Sequence, residues 1–178
     1  KIKTSVLKLT RGDITLEDTR AIVNAANREL SPGGGVSGAI HRAAGPGLWQ
    51  EARTLGGCGT GEARLTGGHG LKAEYVIHTV GPVYSGQESD SRDLKNSYYN
   101  SLDLAARNGI ESISFPSIST GIFGYPVKEA SRIALETIIS FLKQHREIKL
   151  VKMVLFSEED FNVYRDSLED LKQGSMDK

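Results

Sequence analysis

The sequence predicts an α/β layered domain around a substantially parallel sheet, and three observations carry that expectation. Short apolar runs rich in β-branched residues alternate with longer segments of helical period over most of the chain. The segment 127–145 sets Val127, Ala130, Ile133, Ala134, Ile138, Phe141 and Leu142 close to one helical face, with charged residues largely opposite, as a helix packed on a sheet requires. Two loops rich in glycine, serine and threonine leave the ends of strands and run into helices, the place where parallel sheets bind ligands.

Taken in order, VLKL (6–9), AIVN (21–24), YVIHTV (75–80), SISF (112–115) and VKMVLF (151–156) read as strands. The segments 37–55, 91–108, 127–145 and 158–172 read as helices, the first beginning near Val36. GQESDSRD (86–93) is a polar loop, no internal repeat or low-complexity block occurs, and KQGSMDK (172–178) reads as a frayed, disordered tail. A chain of 178 residues, 38% hydrophobic, suits one domain with a sizeable core, here residues 1–171.

Composition narrows the function. Lysine plus arginine balances aspartate plus glutamate at 22 each, so no global positive field recruits nucleic acid or an anionic membrane. No stretch approaches the roughly 18–20 apolar residues of a membrane helix, and KIKTSVLKL lacks the long apolar run of a signal peptide. Cys58 is the single cysteine, so no disulfide forms within the chain, and a cytoplasmic, monomeric protein is expected. Four histidines and one cysteine show no zinc spacing, and neither metal nor cofactor is expected. Cys58 has no basic or histidine partner in its local sequence GGCGTG, which argues against a nucleophile.

NAANRELSPGGGVSGAIHRAAG (24–45) leaves the strand AIVN and enters a helix. Its three consecutive glycines let backbone N–H groups converge without Cβ obstruction, and the helix start adds positive partial charge, which suits a phosphate. The same residues also describe a glycine-rich turn. No Gly-Lys-Ser/Thr follows, and the spacing fails G-x-G-x-x-G, so nucleoside triphosphate and nicotinamide readings weaken. SISTGIFGYP (117–126) repeats the arrangement after SISF, now with Phe123 inside the loop, either packed against a sugar or base or buried beneath the loop. Two such loops suit two phosphates.

GDIT (12–15), AIVNAAN (21–27), GGGV (33–36), GAIHRAAG (38–45), HTVGP (78–82) and STGIFGYP (119–126) resemble the macrodomain family, in the order and spacing of its bacterial MacroD-type members. The resemblance covers roughly residues 5–170. It implies a three-layer α/β/α sandwich around a mixed, largely parallel sheet, and it implies binding of ADP-ribose, often with removal of ADP-ribosyl or acetyl groups. By the same resemblance Asp13, with Ile14 beside it, accepts a hydrogen bond from the adenine amino group; an ordinary helix N-cap is the plainer role for Asp13. Asn27 matches the asparagine holding the distal ribose, and Asn24 reads as bracing the loop. Gly34, Gly35 and Val36 match the first phosphate loop; Ser119, Thr120, Gly121, Ile122 and Phe123 match the second. Phe156 matches the aromatic beside adenine, though as the end of an apolar run it also reads as core.

One position departs from the family. MacroD-type hydrolases carry Gly-Gly-Val-Asp-Gly where this chain reads GGVSG, so the catalytic aspartate is replaced by Ser37. A serine hydroxyl orients water but does not take its proton at neutral pH; Ser37 also suits a helix N-cap. His41 shares the helical face of Ser37 and matches the family histidine assigned to catalysis, with bracing of the cradle through backbone hydrogen bonds as its other reading. His78, within an apolar strand, reads as a packed core histidine. Two function classes follow: a slow hydrolase acting through Asn27, Ser37 and His41 on Asp/Glu-linked mono-ADP-ribosyl protein or O-acetyl-ADP-ribose, or a reader that binds ADP-ribose without turnover. Nucleic acid is not an expected partner, because basic and aromatic residues do not interleave.

Overall fold

The computed structural model describes residues 1–176. Its strands are β1 (Val6–Arg11), β2 (Ala21–Ala25), β3 (Ala63–Gly67), β4 (Tyr75–Thr79), β5 (Ser112–Phe115) and β6 (Leu150–Leu155). They form one sheet in the order β1-β6-β5-β2-β4-β3. Every neighbouring pair is parallel except β3 with β4. The helices are α1 (Gly35–Ala44), α2 (Pro46–Ala52), α3 (Glu88–Arg107), α4 (Val127–Gln144) and α5 (Glu158–Met176).

Alternation along the strands assigns side chains to two helical layers. Ala21 and Val23 of β2 join Val151, Met153 and Leu155 of β6 in a large core with Tyr98 and Leu102 of α3, Leu135 and Ile138 of α4, and Tyr164 of α5. Ile22, Val76 and Val154 point the other way, onto Ile40 of α1 and Leu48 of α2. The central strands are thus covered on both faces, which is why they read as continuous apolar runs. The three-layer α/β/α sandwich around a mixed sheet is the observed architecture. Each fully buried aliphatic side chain contributes about 1.5–3 kcal/mol to it.

Four elements differ from expectation. The polar loop expected over 86–93 is helical from Glu88 onward, where Glu88 and Asp90 in the first turn of α3 favour its N-terminus. The helix expected over 37–55 is broken: Gly45, at φ +83, turns the chain, and Pro46 starts α2 at the first helical position, where a missing N–H costs nothing. Strand β3 was not expected, because ARLTG is polar and mostly half-exposed, as an antiparallel edge strand can be. The frayed tail expected from 172 is helical as far as Met176, where α5 continues; residues 177 and 178 lie outside the described residues. Among the described residues no helix is long and apolar enough to cross a membrane.

Candidate functional site

Because β1, β2, β4, β5 and β6 all run in one direction, the segments that leave them gather along a single edge of the sheet. These segments are Gly12–Asp13, the loop from Ala26 to Gly35, Val80–Pro82, the loop from Pro116 to Phe123, and Phe156. Both glycine-rich loops and both flanking residues singled out in the sequence therefore share one edge.

The first loop is anchored where it starts. Ala26 N–H donates to the Thr79 carbonyl at 2.8 Å. The Asn27 amide then spans the loop: its Nδ2 donates to the Ser31 hydroxyl at 3.0 Å and carbonyl at 3.2 Å, and its Oδ1 accepts from Ser31 N–H at 3.0 Å. Asn27 thus shapes the cradle from within. Gly34 is the N-cap of α1 and Gly35 adopts φ +54, a conformation that favours glycine. The helix begins early enough that Ser37 is its third residue, so the N-cap role expected for Ser37 is not observed. Its hydroxyl is buried with no hydrogen-bond partner. A Cβ on Gly33 would lie 3.7 Å from Asn27 Nδ2 and 3.9 Å from Ser37 Oγ, so Gly33 sits between these two polar groups.

His41 follows one turn after Ser37. It is 7% exposed, and among the described residues neither ring nitrogen has a partner, so the expected bracing hydrogen bond is not made there. Burial pushes its imidazole below the usual range, leaving a neutral ring with one donor and one acceptor.

The second loop is held from below. Tyr98 of α3 accepts from Ile118 N–H at 3.1 Å and donates to the Pro116 carbonyl at 3.3 Å, while Tyr164 of α5 shares a 2.7 Å hydrogen bond with Ser117. Burial raises both phenols, Tyr164 to about 12, so both stay protonated. Thr120 folds back on Ser117, its hydroxyl 2.9 Å from Ser117 Oγ. Ser119 adopts φ +69, an uncommon state for a side-chain-bearing residue, and its buried hydroxyl has no partner. Gly121 and Ile122 are exposed at the tip. Phe123 is half-buried; it lines a cavity of about 460 Å³ with Asn27, Gly81 and Pro82, and its carbonyl accepts from Tyr84 N–H. Sequence reasoning missed Tyr98 and Tyr164, since a tyrosine in an amphipathic helix carries no sign that its hydroxyl meets a loop.

At the far end, Asp13 Oδ1 caps a short 3-10 turn by accepting from Thr15 N–H at 2.9 Å and the Thr15 hydroxyl at 2.7 Å, the plainer of its two expected roles. Among the described residues its second oxygen forms no hydrogen bond. Ile14 is buried beneath it. Phe156 is 83% exposed, so its reading as a core residue is corrected: β6 ends at Leu155, and the ring stands free at the edge of the site.

His78 is a packed residue, as expected. Its Nδ1 meets Asn24 Nδ2 at 3.1 Å and its Nε2 meets the Thr66 hydroxyl at 2.9 Å, so Asn24 braces the strand below the first loop. Burial, helped by nearby His41, lowers its pKa from 6.5 to about 4. The unfolded chain therefore binds an extra proton between those values, and stability present above pH 6.5 is lost as pH falls toward 4, by about 3 kcal/mol. Urea unfolding should show this loss, and His78→Gln should flatten the slope; an unchanged slope would assign it to other groups.

A sequence model of the Macro domain family matches residues 23–134. Human ADP-ribose glycohydrolase MACROD2 is 51% identical over 93% of this chain, although the chain spans only 40% of that protein. A Macro domain-containing protein of Chlorobaculum tepidum is also 51% identical, over 89% of this chain and 92% of its own length. Among solved structures, a point variant of the Oceanobacillus iheyensis macrodomain with ADPR matches at TM-score 0.94 and 45% identity, covering 97% of each chain. The Trypanosoma brucei macrodomain in complex with ADP-ribose matches at TM-score 0.87 and 44% identity, covering 91% of this chain and 68% of that one. With the matched segment spanning both helical layers and most of the site edge, the chain belongs to the Macro domain family.

Proposed function

We propose that this site edge binds ADP-ribose and that the protein slowly hydrolyses mono-ADP-ribose linked to aspartate or glutamate of a protein partner, or O-acetyl-ADP-ribose. The observation carrying the reading is the pair of backbone loops, 33–36 and 119–123, on one sheet edge, with Asp13 and Phe156 toward one end and Asn27 toward the other. That arrangement fits a diphosphate with a sugar at each end and a base beside Phe156. Relatives named as ADP-ribose glycohydrolases, and neighbours solved with ADP-ribose, support it.

Cleavage adds water at the anomeric carbon of the distal ribose while the carboxylate leaves, through an oxocarbenium-like state whose charge develops beside the substrate's pyrophosphate. A substrate phosphate oxygen takes the proton of the attacking water. The two loops and Asn27 fix the ribose, so positioning supplies much of the acceleration. Neutral His41 and the Ser37 hydroxyl orient that water. A carboxylate leaving group suffers least from a missing base. The protein acts as a monomer in the cytoplasm, and the buried, unpaired thiol of Cys58 suits a reducing compartment.

A second reading, binding without turnover, is favoured by one observation: neither Ser37 nor His41 has a carboxylate partner. Incubation with glutamate-linked mono-ADP-ribosyl protein, following released ADP-ribose over hours, separates the two.

Binding itself is read by calorimetry. ADP-ribose should raise the melting temperature and bind far more tightly than AMP, which lacks the second phosphate and distal ribose. Asp13→Ala removes a cap worth about 1 kcal/mol and a ligand hydrogen bond worth about 1–3 kcal/mol, so affinity should fall about 10- to 100-fold. No heat and no melting shift at millimolar ADP-ribose would refute the proposal.

A further inference from the structure

The bend at Gly45 leaves a second cavity, of about 540 Å³, in the angle between α1 and α2. Pro32, His41, Arg42, Trp49, Gln50 and Arg53 line it. Arg42 lies in α1 and Arg53 at the end of α2, so the two basic residues belong to different walls of the cavity. Both residues are exposed, and among the described residues neither is paired with a carboxylate. No acidic residue lines the cavity. His41 also lines it, more than nine-tenths buried, and among the described residues both its nitrogens are unpartnered.

We propose that this cavity receives an acidic segment of the polypeptide that carries the ADP-ribosyl group, with Arg42 and Arg53 pairing its carboxylates. The identity of that polypeptide rests on the function proposed above; the recognition of acidic peptide rests on the cavity alone. Two guanidinium groups without internal partners are suited to bidentate carboxylate contacts. The half-buried Trp49 indole offers a flat wall for the peptide's aliphatic stems. Continuity with the ribose end of the site comes from Pro32, which lines the cavity and adjoins Gly33, and from His41, one helical turn beyond Ser37. A protein acceptor attached to the distal ribose thus emerges next to this pocket. A nucleic acid fits less well, because the positive charge is confined to two residues in a chain of zero net charge.

Trp49 is the single tryptophan, so its fluorescence reports on this wall. A capped tri-glutamate peptide should change Trp49 emission saturably, at about fivefold lower concentration than capped tri-glutamine, and the difference should shrink with salt. Arg42→Gln with Arg53→Gln should erase the preference while ADP-ribose affinity stays unchanged. Peptides carrying a hydrolysis-resistant ADP-ribose should show the same fivefold gain from glutamate over glutamine flanks, lost in the double variant. Equal binding of the two peptides, a preference that survives the double variant, or tighter binding of a single-stranded oligonucleotide than of tri-glutamate overturns the proposal. If ADP-ribose leaves the melting temperature unchanged while the tri-glutamate response persists, the proposed function fails and acidic-peptide recognition stands. A response to tri-glutamate without any gain in the ADP-ribosyl peptides overturns the link to the modified acceptor.

Discussion

Replacing Ser37 with aspartate is expected to raise the single-turnover rate of ADP-ribose release by up to about 10²–10⁴-fold, the usual contribution of a placed general base. The site is prepared for a carboxylate in three ways. Position 37 is the third residue of α1, where the helix N-terminus stabilises negative charge. It faces Asn27 across Gly33, which lacks a side chain to intervene. His41, one turn away, has no other partner and would pair with the new acid. The same carboxylate repels the ligand's pyrophosphate, so affinity for ADP-ribose should hold or fall slightly while the rate climbs. Where substrate phosphate already takes the proton, the gain is smaller. An unchanged single-turnover rate would show that the missing acid does not limit catalysis, and that His41 or the substrate governs it.

Gly38→Ala should weaken binding strongly for a single added methyl group. A Cβ at this position meets the Gly33 carbonyl oxygen, a backbone atom that gives way only if the loop moves, and also approaches Arg42 Nη1 at 3.0 Å, a flexible side-chain end that yields. Alanine in a helix gains about 1 kcal/mol over glycine, and overpacking costs about 1–3 kcal/mol. The net loss of stability is about 0–2 kcal/mol. The ligand loses more, because the displaced atoms belong to the loop proposed to hold a phosphate, so ADP-ribose affinity should drop more than tenfold. Gly34→Ala is the contrast: a Cβ there meets nothing within 4 Å, and its φ of −90 suits any residue, so melting should be unchanged. Calorimetry with ADP-ribose on Gly38→Ala checks the first expectation, and wild-type affinity would show that the loop absorbs the methyl without moving.

The layered fold was legible because its central strands are buried on both faces and its long helices have a clear apolar side. SISF and the start of the helix at Val127 were placed without error, each being bounded by residues of opposite character. Edge strand β3 was not legible, since half-exposed Ala63, Arg64 and Leu65 present no apolar stripe. The break at Gly45–Pro46 was written in the sequence as AGPG but was outweighed by helical periodicity on both sides. Which residues share the site edge was legible from the parallel sheet; which hydroxyls hold the loops was not. Ser37 shows the limit clearly. Its residue type suits a cap, but the glycines before it move the cap to Gly34, three residues earlier, a shift that residue type alone does not signal.

Strand β6 lies between β1 and β5 in the sheet, although the segment 116–149 separates it from β5 and a far longer one from β1. As the chain leaves the ribosome, β1 has no partner until β6 has been made, and the loop at 117–120 lacks Tyr164 until α5 follows. The end of the site edge at Asn27, built from β2, β4 and α1, has all its strands much earlier. A nascent chain thus completes this edge from one end to the other, with the end at Asp13 and Phe156 last, and a ligand spanning both ends offers it no template for folding until synthesis is nearly over.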